Sequence, residues 1–281
     1  MFYLLIILLQ MKLIRQINDL NEAIKNVHQL GFIPTMGGLH KGHESLIKAS
    51  KKKCQRTLVS IFVNPRQFND TNDYKNYPRQ HNKDLKVLKK LRVDFVFLPS
   101  SKQIYKNKDM DKFILKKTQK ILCAKYRKKH FEGVLDVMNR LINLIKPKYV
   151  FMGKKDFQQL FLVKKYLEKK FDSRIIACKT IRNKNKVALS SRNIHLSKSE
   201  MNIASFITKE LIKLKFRINR NKKKSKILIN NTKKKLLEKF DLKIQYLETR
   251  NILNLKKNIF NEKYKLFIAY YIGGVRLIDN F

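Results

Sequence analysis

Residues 34–45 read PTMGGLHKGHES, with His40 and His43 separated by one lysine and one glycine. Spaced i, i+3 at a helix start, both rings project from one side of the first turn. The free N–H groups and positive dipole end of such a helix favour an anion. Two ring N–H donors beside them suit phosphate oxygens and charge developing on a phosphoryl group. Gly37 and Gly38 permit a tight turn and close approach of backbone to a ligand, and Gly42 leaves room for a base or ribose. Read alone, the pattern is equally that of two structural histidines at a helix start.

Three further polar clusters stand between apolar runs. SIFVNPRQF (60–68) supplies Asn64, Pro65 and Gln67, and GKKDFQQL (153–160) supplies Lys155, Asp156 and Gln159. VALSSRN (187–193) supplies Ser190, Ser191 and Arg192. Each could be an ordinary turn or helix cap, since Asn-Pro initiates turns and Asp caps helices. Their joint occurrence is what makes a phosphate-handling site the better reading.

The elements that must position these groups alternate in type. LGFIPT (30–35), TLVSIFVN (57–64), VDFVFLP (93–99), KYVFMG (148–153) and RIIACKT (174–180) are short β-branched and aromatic runs that read as buried strands. Between them lie helical patterns. In HFEGVLDVMNRLINLIKP, Val134, Met138, Leu141 and Ile145 share one face and Pro147 marks the end. The stretch KKDFQQLFLVKKYLEKKF is another. Such alternation predicts an α/β fold, a Rossmann-like doubly wound parallel sheet, with ligands at the carboxyl ends of its strands. After about residue 182 come lysine-rich helical stretches (198–239), then LKIQYLETR and KLFIAYYIGGVRLIDN, which read as strands of a smaller α+β domain. The expected organisation is an apolar extension (1–10), a nucleotide- and substrate-binding domain (11–181) and a C-terminal lid domain (182–281).

Composition narrows the classes. Lys+Arg 64 against Asp+Glu 21 gives a formal net charge of +43 in 281 residues. That charge would suit nucleic acid or an anionic membrane surface. Here lysine is spread along the whole chain beside abundant Asn and Ile, with no basic-aromatic recognition module, so neither a nucleic-acid partner nor a membrane is expected. The three cysteines, Cys54, Cys123 and Cys178, form no C-x-x-C pair, which argues against a zinc site or disulfide framework and fits a reducing cytoplasm. MFYLLIILLQ is too short to span a bilayer and lacks a basic flank and cleavage site. It reads as a mis-set start before Met11 or a short appended tail.

The combination PTMGGLHKGH, SIFVNPRQF, YPR, HFEGV, GKKDFQQL, LSSRN and RLIDN, in that order between about residues 30 and 280, resembles the pantoate–β-alanine ligases. These belong to the H-x-G-H nucleotidyltransferase superfamily. The resemblance implies ATP-dependent condensation of pantoate with β-alanine through a pantoyl-adenylate, releasing pyrophosphate and then AMP. It implies an ATP site of Met36, Gly37, Gly38, Leu39, His40, Lys41, Gly42, His43, Gly153, Lys154, Lys155, Asp156, Ile181, Leu189, Ser190, Ser191 and Arg192. His40, His43 and Lys155 would be catalytic, with His43 a proton donor. Gln67, Gln159, Arg127 and Asn64 would hold pantoate or β-alanine. Magnesium would accompany ATP, with Asp84 the matching carboxylate, and the enzyme would be a cytoplasmic homodimer.

Three departures stand out: Lys154 where the family has an acid, no acid near Cys123, and Asn185-Lys186 where Asp-Gly is common. They bear on rate and nucleotide affinity more than on reaction type. Two rivals are another adenylyl transfer of the same superfamily and a basic RNA-binding protein without catalysis. Gln67 and Gln159 in their settings favour the pantoate ligase over the first.

Overall fold

The computed structural model describes residues 11–107, 112–257, 259–260 and 262–281. The apolar extension at 1–10 lies outside the described residues. The chain divides into two compact units, one ending at Lys179 and the other spanning Thr180–Phe281.

The first unit is built on six parallel strands: β1 (Lys12–Ile14), β2 (Leu30–Thr35), β3 (Arg56–Ile61), β4 (Phe95–Phe97), β5 (Tyr149–Gly153) and β6 (Arg174–Cys178). Their spatial order is β1-β4-β3-β2-β5-β6, every pairing parallel. Consecutive residues Phe32 and Ile33, Leu58 and Val59, and Val150 and Phe151 are all buried. Side chains on both faces of these strands are thus covered, as a parallel sheet flanked by helices requires, which is why the strands are continuous apolar runs rather than alternating ones. The predicted runs from 30, 57, 93, 148 and 174 all contain strands. The stretch 62–64 leaves β3 early because the Asn64-Pro65 turn begins there. β1 was not anticipated: three residues, KLI, carry too little pattern to separate a strand from a turn.

Helices cover the sheet with the expected faces. Lys41–Lys53 buries Leu46, Ile47 and Ser50 and ends in Lys51, Lys52 and Lys53, cations suited to a helix C-terminus. His130–Ile145 buries Val134, Met138, Leu141 and Ile145. It stops at Lys146, which takes a left-handed φ of 46° just before Pro147. Leu46, Ile47 and Leu88 from two helices join Ile33, Val59, Val96 and Phe151 from the sheet in one core cluster. Full burial of each such side chain contributes roughly 1.5–3 kcal/mol.

The second unit carries an antiparallel sheet, β7 (Lys243–Asn251), β8 (Tyr264–Ile272) and β9 (Val275–Asn280). β8 and β9 are joined by Gly273-Gly274, both at positive φ (53° and 77°), the geometry of a tight hairpin turn. Helices Lys198–Arg220 and Ser225–Lys239 pack Leu211, Leu214, Ile218 and Leu236 against Leu266 and Ile268. Ser197 and Glu200 form a reciprocal capping box that starts the longer helix.

Candidate active site

From β2 the chain steps outward through β3 and β4 on one side, then returns to lay β5 and β6 on the other. The order therefore reverses between β2 and β5, and the crevice beyond the carboxyl ends of those two strands is where such sheets take ligands. The H-x-G-H segment follows β2 directly, and Lys154–Asp156 forms a short 3-10 turn directly after β5. Residues more than 100 positions apart are brought to one edge by this topology.

The loop after β2 is locked from three sides. Thr35, buried at the end of the strand, donates its hydroxyl to the Ser60 carbonyl (2.7 Å) and accepts the Gly37 N–H (3.2 Å). Gly37 and Gly38 both take positive φ, 82° and 62°, which side chains disfavour. Asp84, 2% exposed, accepts the Gly38 N–H on Oδ2 (3.0 Å) and the Leu39 N–H on Oδ1 (2.8 Å). A Cβ on Gly37 would crowd Asp84 Oδ2 at 3.0 Å, and the positive φ disfavours a side chain there in any case.

The two histidines cap the helix Lys41–Lys53 with their own rings. His40 Nδ1 accepts the Gly42 N–H (3.0 Å), and His43 Nδ1 accepts the His40 N–H (3.4 Å). The centroids lie 4.2 Å apart. A ring nitrogen that accepts from a backbone amide carries no proton, so each neutral ring holds its proton on Nε2 as a donor. Burial, followed by the positive charge of Lys155, lowers the His40 pKa to about 4, while Asp156 opposes the shift. Burial, His40 and Lys155 lower that of His43 to about 3. Both rings are therefore uncharged at neutral pH. The room expected above Gly42 is filled by the His40 ring, whose Cε1 would lie 2.6 Å from an added Cβ.

Lys155 is 18% exposed at its side chain and its Nζ stands 3.5 Å from Asp156 Oδ1. The influence of Lys155 on both rings places it in the same electrostatic neighbourhood. Gln67 is tied to the loop after β2 through its Nε2, which donates to Met36 Sδ (2.8 Å). Asn64 orients Gln67 by donating Nδ2 to its Oε1 (3.2 Å) and to the Gly133 carbonyl (3.1 Å). The Asn64 Oδ1 accepts the Tyr105 hydroxyl and the Arg66 N–H. Arg127 and His130 both reach the Gln67 carbonyl, at 3.4 and 2.6 Å. Gln158 turns inward and ties down the Cys123 N–H and the Ile121 carbonyl. Its neighbour Gln159 is only partly buried.

Asp84, Tyr105 and His130 were not given these supporting roles by sequence reasoning. Each acts on a residue 41 to 63 positions away. The motifs YPR and HFEGV flank or contain two of them, which was the available signal.

In the second unit the remaining candidates share one turn. The Leu189 N–H donates to the Ile181 carbonyl (3.0 Å), and Arg182 pairs with Ala188 across an isolated bridge. Asn183 Oδ1 accepts the N–H groups of Asn185 and Val187. Lys186 takes a φ of 67°, a conformation that suits glycine, so this departure from Asp-Gly keeps the turn with some local strain. Ser190 caps the 3-10 turn Ser191–His195 by accepting the Arg192 N–H (3.3 Å). Asp279 of the terminal RLIDN holds Arg182 through two bonds of 2.6 and 2.9 Å.

Among the described residues no group of three His, Cys, Asp or Glu could hold a metal ion, and no helix is long and apolar enough to cross a membrane. Both Asp84 oxygens are engaged by the loop they brace.

Comparison with known proteins places this geometry in context. The family model described as pantoate-beta-alanine ligase matches residues 12–281. A pantothenate synthetase of Ruthia magnifica subsp. Calyptogena magnifica is 40% identical over 278 residues, covering 96% of this chain and 98% of the relative. The crystal structure of pantoate-beta-alanine ligase from Francisella tularensis, complexed with beta-gamma ATP and beta-alanine, matches with a TM-score of 0.80 at 35% identity over 97% of each chain. Pantothenate synthetase from Thermus thermophilus matches with a TM-score of 0.87 at 26% identity, over 96% of this chain and 98% of that one.

Proposed function

The chain belongs to the pantoate–β-alanine ligase family, and from that premise we propose that it joins the two substrates by way of a pantoyl-adenylate. The overall reaction is ATP-dependent formation of pantothenate from pantoate and β-alanine. A carboxylate is a poor electrophile, and its oxygen must become a leaving group before an amine can displace it. Attack of the pantoate carboxylate on the α-phosphorus of ATP releases pyrophosphate. Attack of the β-alanine amine on the resulting carbonyl then releases AMP. Neither step needs a covalent nucleophile from the protein, so the chain supplies position and charge.

The observation that carries this reading is the pair of neutral rings at the helix start, each with Nδ1 committed to backbone and Nε2–H left as donor. In our assignment His40 and His43 donate to phosphate oxygens as charge builds on them. A ring with a pKa near 3 or 4 is uncharged, so His43 acts as a hydrogen-bond donor rather than as an imidazolium acid. Lys155 supplies the fixed positive charge, and Asp156 helps to hold the nucleotide. Met36–Leu39, Lys41, Gly42, Gly153 and Lys154 line the same nucleotide site. Ile181, Leu189, Ser190, Ser191 and Arg192 are assigned to ATP as well. Gln67, Gln159, Asn64 and Arg127 take pantoate and β-alanine. Magnesium belongs on the triphosphate itself, since Asp84 is occupied by the glycine loop. The family resemblance further supports a cytoplasmic homodimer, for which sedimentation velocity should give one species of twice the chain mass.

Purified protein given ATP, pantoate and β-alanine should yield pantothenate, AMP and pyrophosphate. His43→Ala and Lys155→Ala should each lower kcat/KM by about 100-fold or more, the scale seen when one transition-state donor is removed. Formation of ADP, or activity little changed in both variants, would overturn these roles.

A further inference from the structure

His130 begins the helix His130–Ile145 and is 6% exposed. Its ring meets two groups with opposite demands. The Gln67 carbonyl, 2.6 Å from Nδ1, can only accept, so Nδ1 carries the proton. The Arg127 guanidinium, 3.0 Å from Nε2, can only donate, so Nε2 carries a lone pair. The two contacts together fix one neutral tautomer, opposite to that of His40 and His43. Arg127 also reaches the Gln67 carbonyl at 3.4 Å, closing a three-membered arrangement.

The backbone around it leaves little slack. A Cβ on Gly133 would lie 2.2 Å from the Arg66 carbonyl oxygen, so the first turn of this helix presses directly on the 64–67 turn. Gly133 in turn accepts from Asn64, which orients the Gln67 amide. Arg66 is fastened to Asp136 of the same helix (2.8 Å). A residue that only filled space here would not need a donor and an acceptor at fixed places on one ring.

We propose that His130 is a positioning residue for the pantoate end of the site, setting Gln67 and Arg127 together through its Nδ1–H and Nε2. The inference rests on the assignment of Gln67 and Arg127 to substrate made above. It predicts a selective defect. His130→Ala should raise the KM for pantoate about tenfold, because a buried carbonyl and a guanidinium each lose a partner. The KM for ATP should stay within twofold of wild type, since the H-x-G-H loop is braced separately by Asp84.

The conservative variants supply the readout that packing alone would not move. Asparagine places an N–H near the Nδ1 position and so restores the partner of the buried Gln67 carbonyl. Glutamine places its amide oxygen near the Nε2 position and serves only the partly exposed Arg127 guanidinium, which water also reaches. His130→Asn should therefore keep the pantoate KM within about threefold of wild type, while His130→Gln should resemble alanine. Should the alanine variant fail to fold, the Asn and Gln pair carries the test, with thermal melting reported for both. The proposal is overturned if Asn and Gln behave alike, if the pantoate KM of the alanine variant stays within twofold, or if the ATP KM rises by the same factor. Wild-type protein that made no pantothenate would instead overturn the functional assignment, and this inference with it.

Discussion

Two imidazoles on one helical turn would ordinarily share a protonation range near neutrality, and here they do not. Burial and the nearby Lys155 hold both below it, so their charge is set by the site rather than by the solvent. In a pH titration followed by NMR, the two rings should keep neutral shifts from pH 8 down to about 5.5. A titration midpoint near 6.5 for either would contradict the account. The sign for stability follows from linkage. The folded pKa values lie below the ordinary 6.5, so the unfolded chain takes up protons first on acidification. This contribution is complete above about 6.5 and is lost progressively as pH falls from there to about 4 and 3. Melting temperature should therefore drop over that window, and less steeply when both rings are replaced by asparagine. Asp84 is the other residue-scale test. Asp84→Ala leaves the Gly38 and Leu39 N–H groups without their acceptor, and should cost about 2–4 kcal/mol by denaturant titration while raising the KM for ATP.

At the scale of elements, the informative feature is the pressure of one helix start on one turn. Gly133→Ala would raise helix propensity in solvent by about 1 kcal/mol. Here the added methyl would press on backbone at 2.2 Å, and overpacking of that kind costs roughly 1–3 kcal/mol. We expect a lower midpoint in urea together with a higher KM for pantoate; a stabilised variant would contradict the geometry. The strands themselves were legible because burial on both faces leaves continuous apolar runs, as in Leu30–Thr35. Helix His130–Ile145 was legible from its 3.6-residue period and from Pro147 beyond it. What stayed hidden were ties across long separations. Nothing local to Asp84 says that its two oxygens reach back to Gly38 and Leu39, and nothing local to His130 names Gln67. The inward turn of Gln158 beside the candidate Gln159 is of the same kind, because two adjacent glutamines look alike until one finds partners.

For the molecule as a whole, the formal charge of +43 sets the background. With lysines spread over both units, self-repulsion opposes compaction at low ionic strength and weakens as salt shortens the screening length. Raising sodium chloride from about 20 to 300 mM should raise the melting temperature, and a fall would mean that attractive pairs dominate. In the smaller unit the Arg182–Asp279 pair joins the turn spanning 181–189 to the last strand. A field this basic draws in ATP and leaves the chemistry to be decided by where the triphosphate is held. The central claim is that the pantoate carboxylate attacks the α-phosphorus. It is tested most directly by turnover with pantoate labelled in its carboxylate by heavy oxygen. The account predicts one labelled oxygen in the AMP produced and none in pyrophosphate, and label in a β- or γ-derived phosphate, or AMP without label, would contradict it.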